Sequence, residues 1–183
     1  GFKLKQTKWQ KNGGSQLTGK TIGIIGCGNI GSDVVQIISP YKCHLLLNDI
    51  DVKTEFCKNH NANQVSLDAL VTKSDIISLH VPLTNLTSKM VNKRFLRKMK
   101  PTSFLINTSR GAVVDQQALH SALRKNEIAG AALDVFVEEP PTNKEFLSLP
   151  NLMVTPHIGG NTREAVEAMG RAAIDNLVSF FKN

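Results

Sequence analysis

Residues 21–31 read Thr-Ile-Gly-Ile-Ile-Gly-Cys-Gly-Asn-Ile-Gly, an apolar run followed by glycines spaced as G-x-G-x-x-G. A short apolar run is typical of a buried strand, and the apolar spacing that begins at Asn29 is typical of a helix. Gly26 allows a tight turn, Gly28 lets the backbone approach a pyrophosphate, and Gly31 lets helix and strand pack closely. The stretch therefore predicts a strand–turn–helix unit with a phosphate site at the start of the helix.

An acidic residue lies at a suitable distance after these glycines. The next apolar run, residues 45–47, is followed by Asp49, which is 18 residues beyond Gly31. This is close to the roughly 20 residues typical of a carboxylate that binds a ribose 2′-hydroxyl. The carboxylate would repel a 2′-phosphate and no Arg follows it directly, so the sequence favours NAD over NADP. A loop acid or a helix cap is the alternative interpretation of Asp49.

The bulk composition fits an ordinary globular domain. The chain has 183 residues, of which 41% are hydrophobic. No apolar run approaches the roughly 18 residues that a membrane-spanning helix needs, so no membrane partner is predicted. The three cysteines and five histidines lack any familiar metal-ligand spacing, so no metal site is predicted. Free thiols are typical of a reducing compartment, which predicts a cytoplasmic protein.

The net charge of +7 raises the question of a nucleic-acid partner. The excess lies largely in residues 1–20 and in residues 89–100. In the second segment apolar residues alternate with basic ones, which indicates an amphipathic helix with a solvated basic face. No nucleic-acid-binding motif accompanies either cluster, so nucleic-acid binding is not predicted.

Strand and helix patterns alternate along the chain after residue 20. The strand patterns include residues 64–66, 75–79, 103–106, 129–133 and 152–154; a loop is expected over residues 138–150 and a long amphipathic helix over residues 161–182. Such alternation predicts an α/β fold of the Rossmann type, a doubly wound and mainly parallel sheet with helices on both faces. The predicted domains are an N-terminal arm or helix over residues 1–20 and a dinucleotide-binding domain over residues 21–183.

Polar side chains follow the predicted strands, at the edge where such sheets bind ligands. Among them Arg110, Glu139 and His157 make a plausible catalytic set. Arg can hold a carboxylate bidentately, His can exchange a proton near neutral pH, and a carboxylate can orient the His. Beside a nicotinamide ring they could reduce a 2-oxo acid or oxidise a 2-hydroxy acid. An exposed turn for Arg110, a solvated loop for Glu139 and a backbone contact for His157 are the alternatives.

The order of motifs resembles the NAD-binding domain of the D-isomer-specific 2-hydroxyacid dehydrogenases. The matching stretches are LTGKTIGIIGCGNIG (17–31), LHVPLT (79–84) with Thr87, MKP…FLINTSRGAVVD (99–115), ALDVFVEEP (132–140) and NL…TPHIGG (151–160). The resemblance implies that Arg110, Glu139 and His157 are catalytic and that Asp134 contacts the nicotinamide carboxamide. It also implies the remaining cofactor-binding residues, which are Gly26, Gly28, Asn29, Ile30, Gly31, Asp49, His80, Val81, Pro82, Thr87, Thr108, Ser109 and His157.

Members that resemble this chain carry a second, substrate-binding domain, which we expect to be absent from these 183 residues. The resemblance further suggests a homodimer and a small 2-hydroxy or 2-oxo acid as substrate, without specifying which acid. An NAD-dependent dehydrogenase, inactive as this chain alone, is the leading hypothesis. The alternative is an NAD(H)-sensing interaction protein, similar to the corepressors that resemble this family, which would bind NADH without significant turnover.

Overall fold

The computed structural model describes residue 7 and residues 13–182, so most of the predicted arm over residues 1–20 lies outside the described residues. The described part contains one seven-stranded sheet in which every pair of neighbouring strands is parallel. Its strands are β1 (Thr21–Ile25), β2 (His44–Asn48), β3 (Ala62–Gln64), β4 (Ile76–Leu79), β5 (Phe104–Asn107), β6 (Gly130–Leu133) and β7 (Leu152–Val154). Their order, β3-β2-β1-β4-β5-β6-β7, reverses between β1 and β4. The predicted doubly wound parallel sheet is confirmed.

Helices connect the strands. In the described residues they are α1 (Asn29–Ile38), α2 (Thr54–Asn59), α3 (Leu67–Lys73), α4 (Lys93–Lys98), α5 (Gln116–Arg124), α6 (Lys144–Leu147) and α7 (Arg163–Lys182). Five of them are preceded by a side chain that accepts a hydrogen bond from a backbone N–H of the first turn; these caps are Ser66, Asn92, Asp115, Asn143 and Thr162. Such caps satisfy N–H groups that have no partner inside the helix.

Both faces of the sheet are packed at its central strands, whereas Phe104 of β5 and Met153 of β7 are 48% and 67% exposed. Neighbouring side chains of a strand point to opposite faces. In β1, Ile22 and Ile24 belong to one buried cluster with Leu45 and Leu47. Ile25 belongs to a second cluster, in which the buried residues of β4, β5 and β6 pack against those of α3, α4 and α5. Burial on both faces explains why the sequences of the central strands β1 and β4 are nearly continuous apolar runs.

The sequence interpretation of the third strand was wrong by two residues. It placed a turn at residues 61–63 and a strand at 64–66, whereas β3 spans Ala62–Gln64. The turn is made by His60 and Asn61, and Asn61 has a φ of 50°. Ser66 cannot continue the strand because its side chain caps α3 by accepting a hydrogen bond from Ala69.

Two other segments differ from expectation. The basic helix spans only Lys93–Lys98, because Asn92 caps it after a series of turns. Its basic face is not wholly free, since Lys98 pairs with Asp68 and Lys100, just beyond the helix, pairs with Asp75. The predicted loop over residues 138–150 contains α6, which is anchored by Phe146 at 1% exposure.

The carboxyl ends of the strands lie in one row across the sheet. The register aligns Ile25 of β1 with Asn48 of β2 on one side and Leu79 of β4 on the other. The row continues through Asn107, Leu133 and Val154. The residues that follow this row are Gly26, Asp49, His80, Thr108, Asp134 and Thr155. The prediction that the polar residues gather at one sheet edge is therefore confirmed.

Candidate functional site

In the glycine turn after β1, Gly26 and Gly31 are packed against backbone atoms, whereas Gly28 is not. A Cβ on Gly26 would lie 2.5 Å from the carbonyl oxygen of His80, and one on Gly31 would lie 2.0 Å from that of Gly26. Gly26 also has a φ of 87°, which L side chains rarely adopt. At Gly28 a Cβ would meet no atom within 4 Å. The fold therefore requires glycine at 26 and 31, whereas at 28 glycine leaves open space above the backbone.

Helix α1 begins at this open space. Gly28 is its N-cap and has no side chain to accept hydrogen bonds from the first turn. The N–H groups of this turn are therefore left without a side-chain cap, and the dipole of the helix favours an anion there. Asn29 and Ile30 form the start of the helix, and Ile30 is 63% exposed. This arrangement suits a phosphate group that binds the backbone.

Asp49 connects the end of β2 to the glycine turn. Its Oδ2 accepts a hydrogen bond of 2.5 Å from the Cys27 backbone N–H, and its Oδ1 accepts one of 2.9 Å from the Asp51 N–H. A carboxylate offers about four acceptor positions, so capacity remains for further donors. Asp49 is only partly buried, which leaves its carboxylate accessible beside the turn.

Gln64, on β3, was missed by the sequence analysis. Its side-chain amide forms hydrogen bonds with three backbone groups of the loop between β2 and α2, those of Asp49, Asp51 and Lys53. A glutamine at the end of a predicted strand gives no signal of such a role, because the contact depends on strand register.

The segment after β4 forms a folded turn beside the glycine loop. The His80 Nε2 lies 2.9 Å from the Ser78 hydroxyl, and burial lowers the pKa of His80, so its imidazole is neutral at pH 7. Val81 and Pro82 follow, and the Thr87 hydroxyl donates a hydrogen bond of 2.5 Å to the Pro82 carbonyl. The predicted residues of this segment are therefore held together next to Gly26.

Arg110 lies in a turn that the Asn107 side chain stabilises by hydrogen bonds. The fully buried Asn107 side chain accepts hydrogen bonds from the Ser109 N–H and hydroxyl at 3.0 and 2.8 Å. Its amide donates one of 3.0 Å to the Arg110 carbonyl. Sequence analysis missed this positioning role, although an Asn that ends a strand is a typical turn former.

Tight backbone packing brings this turn to the segment that carries Glu139. A Cβ on Gly111 would lie 1.9 Å from the carbonyl carbon of Phe136. The N–H of Phe136 donates a hydrogen bond of 2.9 Å to Oε1 of Glu139. The backbones beside Arg110 and beside Glu139 are therefore in direct contact.

Glu139 and His157 form a hydrogen-bonded pair. Oε2 of Glu139 lies 2.8 Å from Nδ1 of His157, and the two side chains are 39% and 49% exposed. The bond from His157 and the bond from Phe136 lower the pKa of Glu139, so the carboxylate is ionised and accepts the Nδ1 proton. Nε2 of His157 remains available for another partner. The backbone of His157 has a φ of 52°, a left-handed conformation that is uncommon for residues other than glycine and is typical of functional sites.

This geometry predicts a change in the titration of Glu139. In the His157→Asn variant we expect the pKa of Glu139 to rise toward its ordinary 4.5, because the largest cause of its depression is removed. In the wild type, the stability contributed by the pair is present above pH 4.5 and lost as the pH falls through the lower folded pKa. Carboxyl ¹³C NMR titration measures both values, and identical titration curves would contradict the pairing.

Asp134 holds the loop that carries His157. Its carboxylate, 6% exposed, accepts hydrogen bonds from the Thr155 hydroxyl at 2.5 Å and from the Ile158 and Gly159 N–H groups at 2.9 Å. Burial alone would raise the pKa of Asp134, but these hydrogen bonds outweigh it and lower the pKa. Thr155 was not predicted as a site residue; it acts here by fixing Asp134.

Comparison with known proteins identifies the family. The family described as "D-isomer specific 2-hydroxyacid dehydrogenase, NAD binding domain" matches residues 2–159. The chain belongs to this family. Its dinucleotide-binding fold is thus an NAD-binding domain, as the sequence motifs predicted.

Relatives of known activity support the same assignment. The chain is 44% identical to the glyoxylate reductase of Thermococcus litoralis over 169 residues, which are 92% of this chain and 51% of that protein. It is 38% identical to the hydroxypyruvate reductase of Thermotoga maritima over 184 residues, covering 95% and 58% of the two chains. The chain thus spans about half the length of these relatives.

The structural likeness extends over the whole sheet. A D-lactate dehydrogenase from Aquifex aeolicus, solved with NAD and lactic acid, superposes with a TM-score of 0.90 at 31% sequence identity; the match covers 99% of this chain and 60% of that one. The family's cofactor fits the residues present here. The turn is open at Gly28, the helix N-terminus above it lacks a side-chain cap, and an accessible carboxylate stands beside it at Asp49.

The described residues contain neither a metal-binding cluster nor a membrane-spanning helix. Residues 13–182 contain no group of three or more His, Cys, Asp or Glu side chains arranged to hold a metal ion. Over the same residues, no helix combines the length and the apolar character needed to cross a membrane.

Proposed function

We propose that this chain is the cofactor-binding part of an NAD-dependent D-2-hydroxyacid dehydrogenase, which interconverts a small 2-oxo acid and the corresponding 2-hydroxy acid. The observation that carries the proposal is the 2.8 Å hydrogen bond between His157 and Glu139, at the sheet edge next to the Arg110 turn. Histidine is the side chain used most often in general acid–base catalysis, and a paired carboxylate fixes its tautomer and orientation.

In the proposed mechanism each catalytic residue has a separate task. Arg110 binds the substrate carboxylate with its planar guanidinium and polarises the adjacent carbonyl. His157 holds a proton at Nε2 and transfers it to the carbonyl oxygen during reduction; during oxidation it accepts the hydroxyl proton. Glu139 keeps Nδ1 protonated and stabilises the imidazolium. NAD, when bound, supplies or accepts the hydride at its nicotinamide ring.

The remaining predicted residues would hold the cofactor. Residues 26–31 would bind the pyrophosphate, Asp49 the adenosine ribose, and Asp134 the nicotinamide end. The other residues assigned to the cofactor are His80, Val81, Pro82, Thr87, Thr108 and Ser109. The support for this assignment is their common position after the row of strand ends, where ligands of doubly wound sheets bind.

Turnover by the full-length protein tests the proposed activity. NADH oxidation would be followed with glyoxylate, hydroxypyruvate and pyruvate, three 2-oxo acids that differ in the group beyond the carbonyl. NADH-dependent reduction of at least one is expected. Saturable NADH binding with no turnover of any 2-oxo acid would contradict the dehydrogenase and favour the NAD(H)-sensing interaction protein.

Asp49→Ala is expected to change cofactor preference. Loss of the carboxylate removes the acceptor for the ribose 2′-hydroxyl and the repulsion of a 2′-phosphate, so NADH binding should weaken about tenfold while NADPH binding does not. Titration of the chain with both nucleotides, followed by nicotinamide fluorescence, measures this. An unchanged ratio of the two dissociation constants would overturn the ribose assignment.

We also infer that the protein works as a homodimer in a reducing, cytoplasmic environment. The free thiols of Cys27, Cys43 and Cys57 support such a compartment. For the dimer the support is the family resemblance, and sedimentation of the full-length protein tests it; a monomer at all concentrations would contradict it.

A further inference from the structure

We infer that Gln64 sets the preference for NAD over NADP by holding the loop that carries Asp49. The inference rests on the proposed contact between Asp49 and the adenosine ribose. Gln64 would be a positioning residue, since it acts on the cofactor only through this loop of residues 49–53.

Both the oxygen and the nitrogen of the Gln64 side-chain amide form hydrogen bonds with the loop. Oε1 accepts a hydrogen bond of 2.8 Å from the Lys53 N–H. Nε2 donates one of 2.7 Å to the Asp51 carbonyl and one of 3.3 Å to the Asp49 carbonyl. One side chain on the edge strand β3 thus binds the loop at three positions.

Little else fixes the middle of this loop. Ile50 and Val52 are 94% and 83% exposed, so apolar burial does not hold it. The Asp51 N–H bonds only within the loop, to the Asp49 carboxylate. At the start of the loop, the Cys27 N–H bonds Oδ2 of Asp49, and the preceding Asn48 is held by the Gly26 N–H and by its own amide on the Val65 carbonyl. Gln64 therefore fixes the loop beyond Asp49, and with it the Asp51 N–H that holds Oδ1 of the Asp49 carboxylate.

The charges of the loop explain why its position affects cofactor choice. Lys53 lies in the same loop, and its ammonium is 3.6 Å from the Asp51 carboxylate, with 26% of its side chain exposed. If Lys53 were released from Asp51, its ammonium could bind a 2′-phosphate, whereas the Asp49 carboxylate can accept a hydrogen bond from a 2′-hydroxyl. By fixing Asp49, Asp51 and Lys53 together, Gln64 keeps the carboxylate next to the ribose and keeps the ammonium paired.

Gln64→Met is the variant that tests this, because methionine has nearly the same length and volume and lacks the amide. We expect NADH to bind about tenfold more weakly and NADPH to bind as well as before or better, so that discrimination between them falls about tenfold. Asn63→Ala is the matched control. Asn63 is the exposed neighbour on β3, and its substitution should change neither dissociation constant.

A second measurement separates loop positioning from a general loss of structure. Amide hydrogen exchange of Lys53 should accelerate in Gln64→Met, because its acceptor is lost, while the midpoint of chemical unfolding stays unchanged. If Asp49→Ala alters the NADH/NADPH ratio and Gln64→Met does not, the inference about Gln64 is wrong and the ribose assignment stands. If neither variant alters the ratio, both are wrong.

Discussion

His157→Asn in the full-length protein is expected to lower kcat by about a thousandfold and to change the NADH dissociation constant far less, because the proposed pyrophosphate and ribose contacts remain. The amide of asparagine cannot exchange a proton with the substrate near neutral pH, so the general acid–base contribution is lost. Asparagine is the appropriate replacement because it tolerates the left-handed backbone, with a φ of 52°, in which His157 lies. Alanine would combine the loss of the imidazole with backbone strain.

His44→Asn provides the control for this experiment. His44 is an exposed residue at the start of β2, so it lies at the amino ends of the strands, whereas the candidate site lies at their carboxyl ends. The same substitution there should leave kcat and NADH binding unchanged. Full activity of His157→Asn, measured by NADH oxidation with the preferred 2-oxo acid, would overturn the assignment of His157 as acid and base.

Gly28→Ala is expected to weaken NADH binding by about a hundredfold without destabilising the chain. The backbone at Gly28 has a φ of −78°, which alanine adopts easily, and a Cβ there would meet no protein atom within 4 Å. The added methyl group would occupy the space in which the pyrophosphate approaches the backbone, so the cost appears only on binding. Calorimetric titration with NADH and chemical unfolding measure the two quantities.

Substitutions of two other glycines are the controls for Gly28→Ala. Gly31→Ala should instead lower the free energy of unfolding by about 1–3 kcal/mol, because its Cβ would lie 2.0 Å from the Gly26 carbonyl oxygen. Gly170→Ala, in α7, meets open space as Gly28 does and should not affect NADH binding. An unchanged NADH affinity in Gly28→Ala would show that the pyrophosphate binds elsewhere.

The features that could be predicted from the sequence are those that local patterns specify. The glycine turn, the alternation of strands and helices and the polar residues at the strand ends each depend on a few neighbouring residues. The family resemblance covers the same stretches. The parallel sheet and the common edge position of Asp49, Arg110, Asp134 and His157 follow from these patterns, because parallel strands place their carboxyl ends together.

The features that could not be predicted depend on contacts between distant segments. The role of Gln64 requires the register of β3, which was itself misplaced by two residues. Helix α6 has only four residues and exists because Asn143 caps it and Phe146 is buried. Short helices of this kind have almost no periodic signal, so tertiary burial decides them.

The roles of Asn107 and Thr155 show the same limitation within the site. Both residues stabilise a turn through a side-chain hydrogen bond, and their partners become evident only in three dimensions. Sequence motifs indicate the two proposed catalytic residues Arg110 and His157. The residues that orient them are recognised from the hydrogen-bond network.

Titration of the 183-residue chain with NADH and NADPH, followed by nicotinamide fluorescence, shows whether this domain binds NAD and discriminates against NADP. We expect saturable NADH binding at one site and NADPH binding that is at least about tenfold weaker, because the Asp49 carboxylate would accept a hydrogen bond from the ribose hydroxyl and repel a phosphate. Equal affinity for the two nucleotides, or no saturable binding of either, would contradict this expectation.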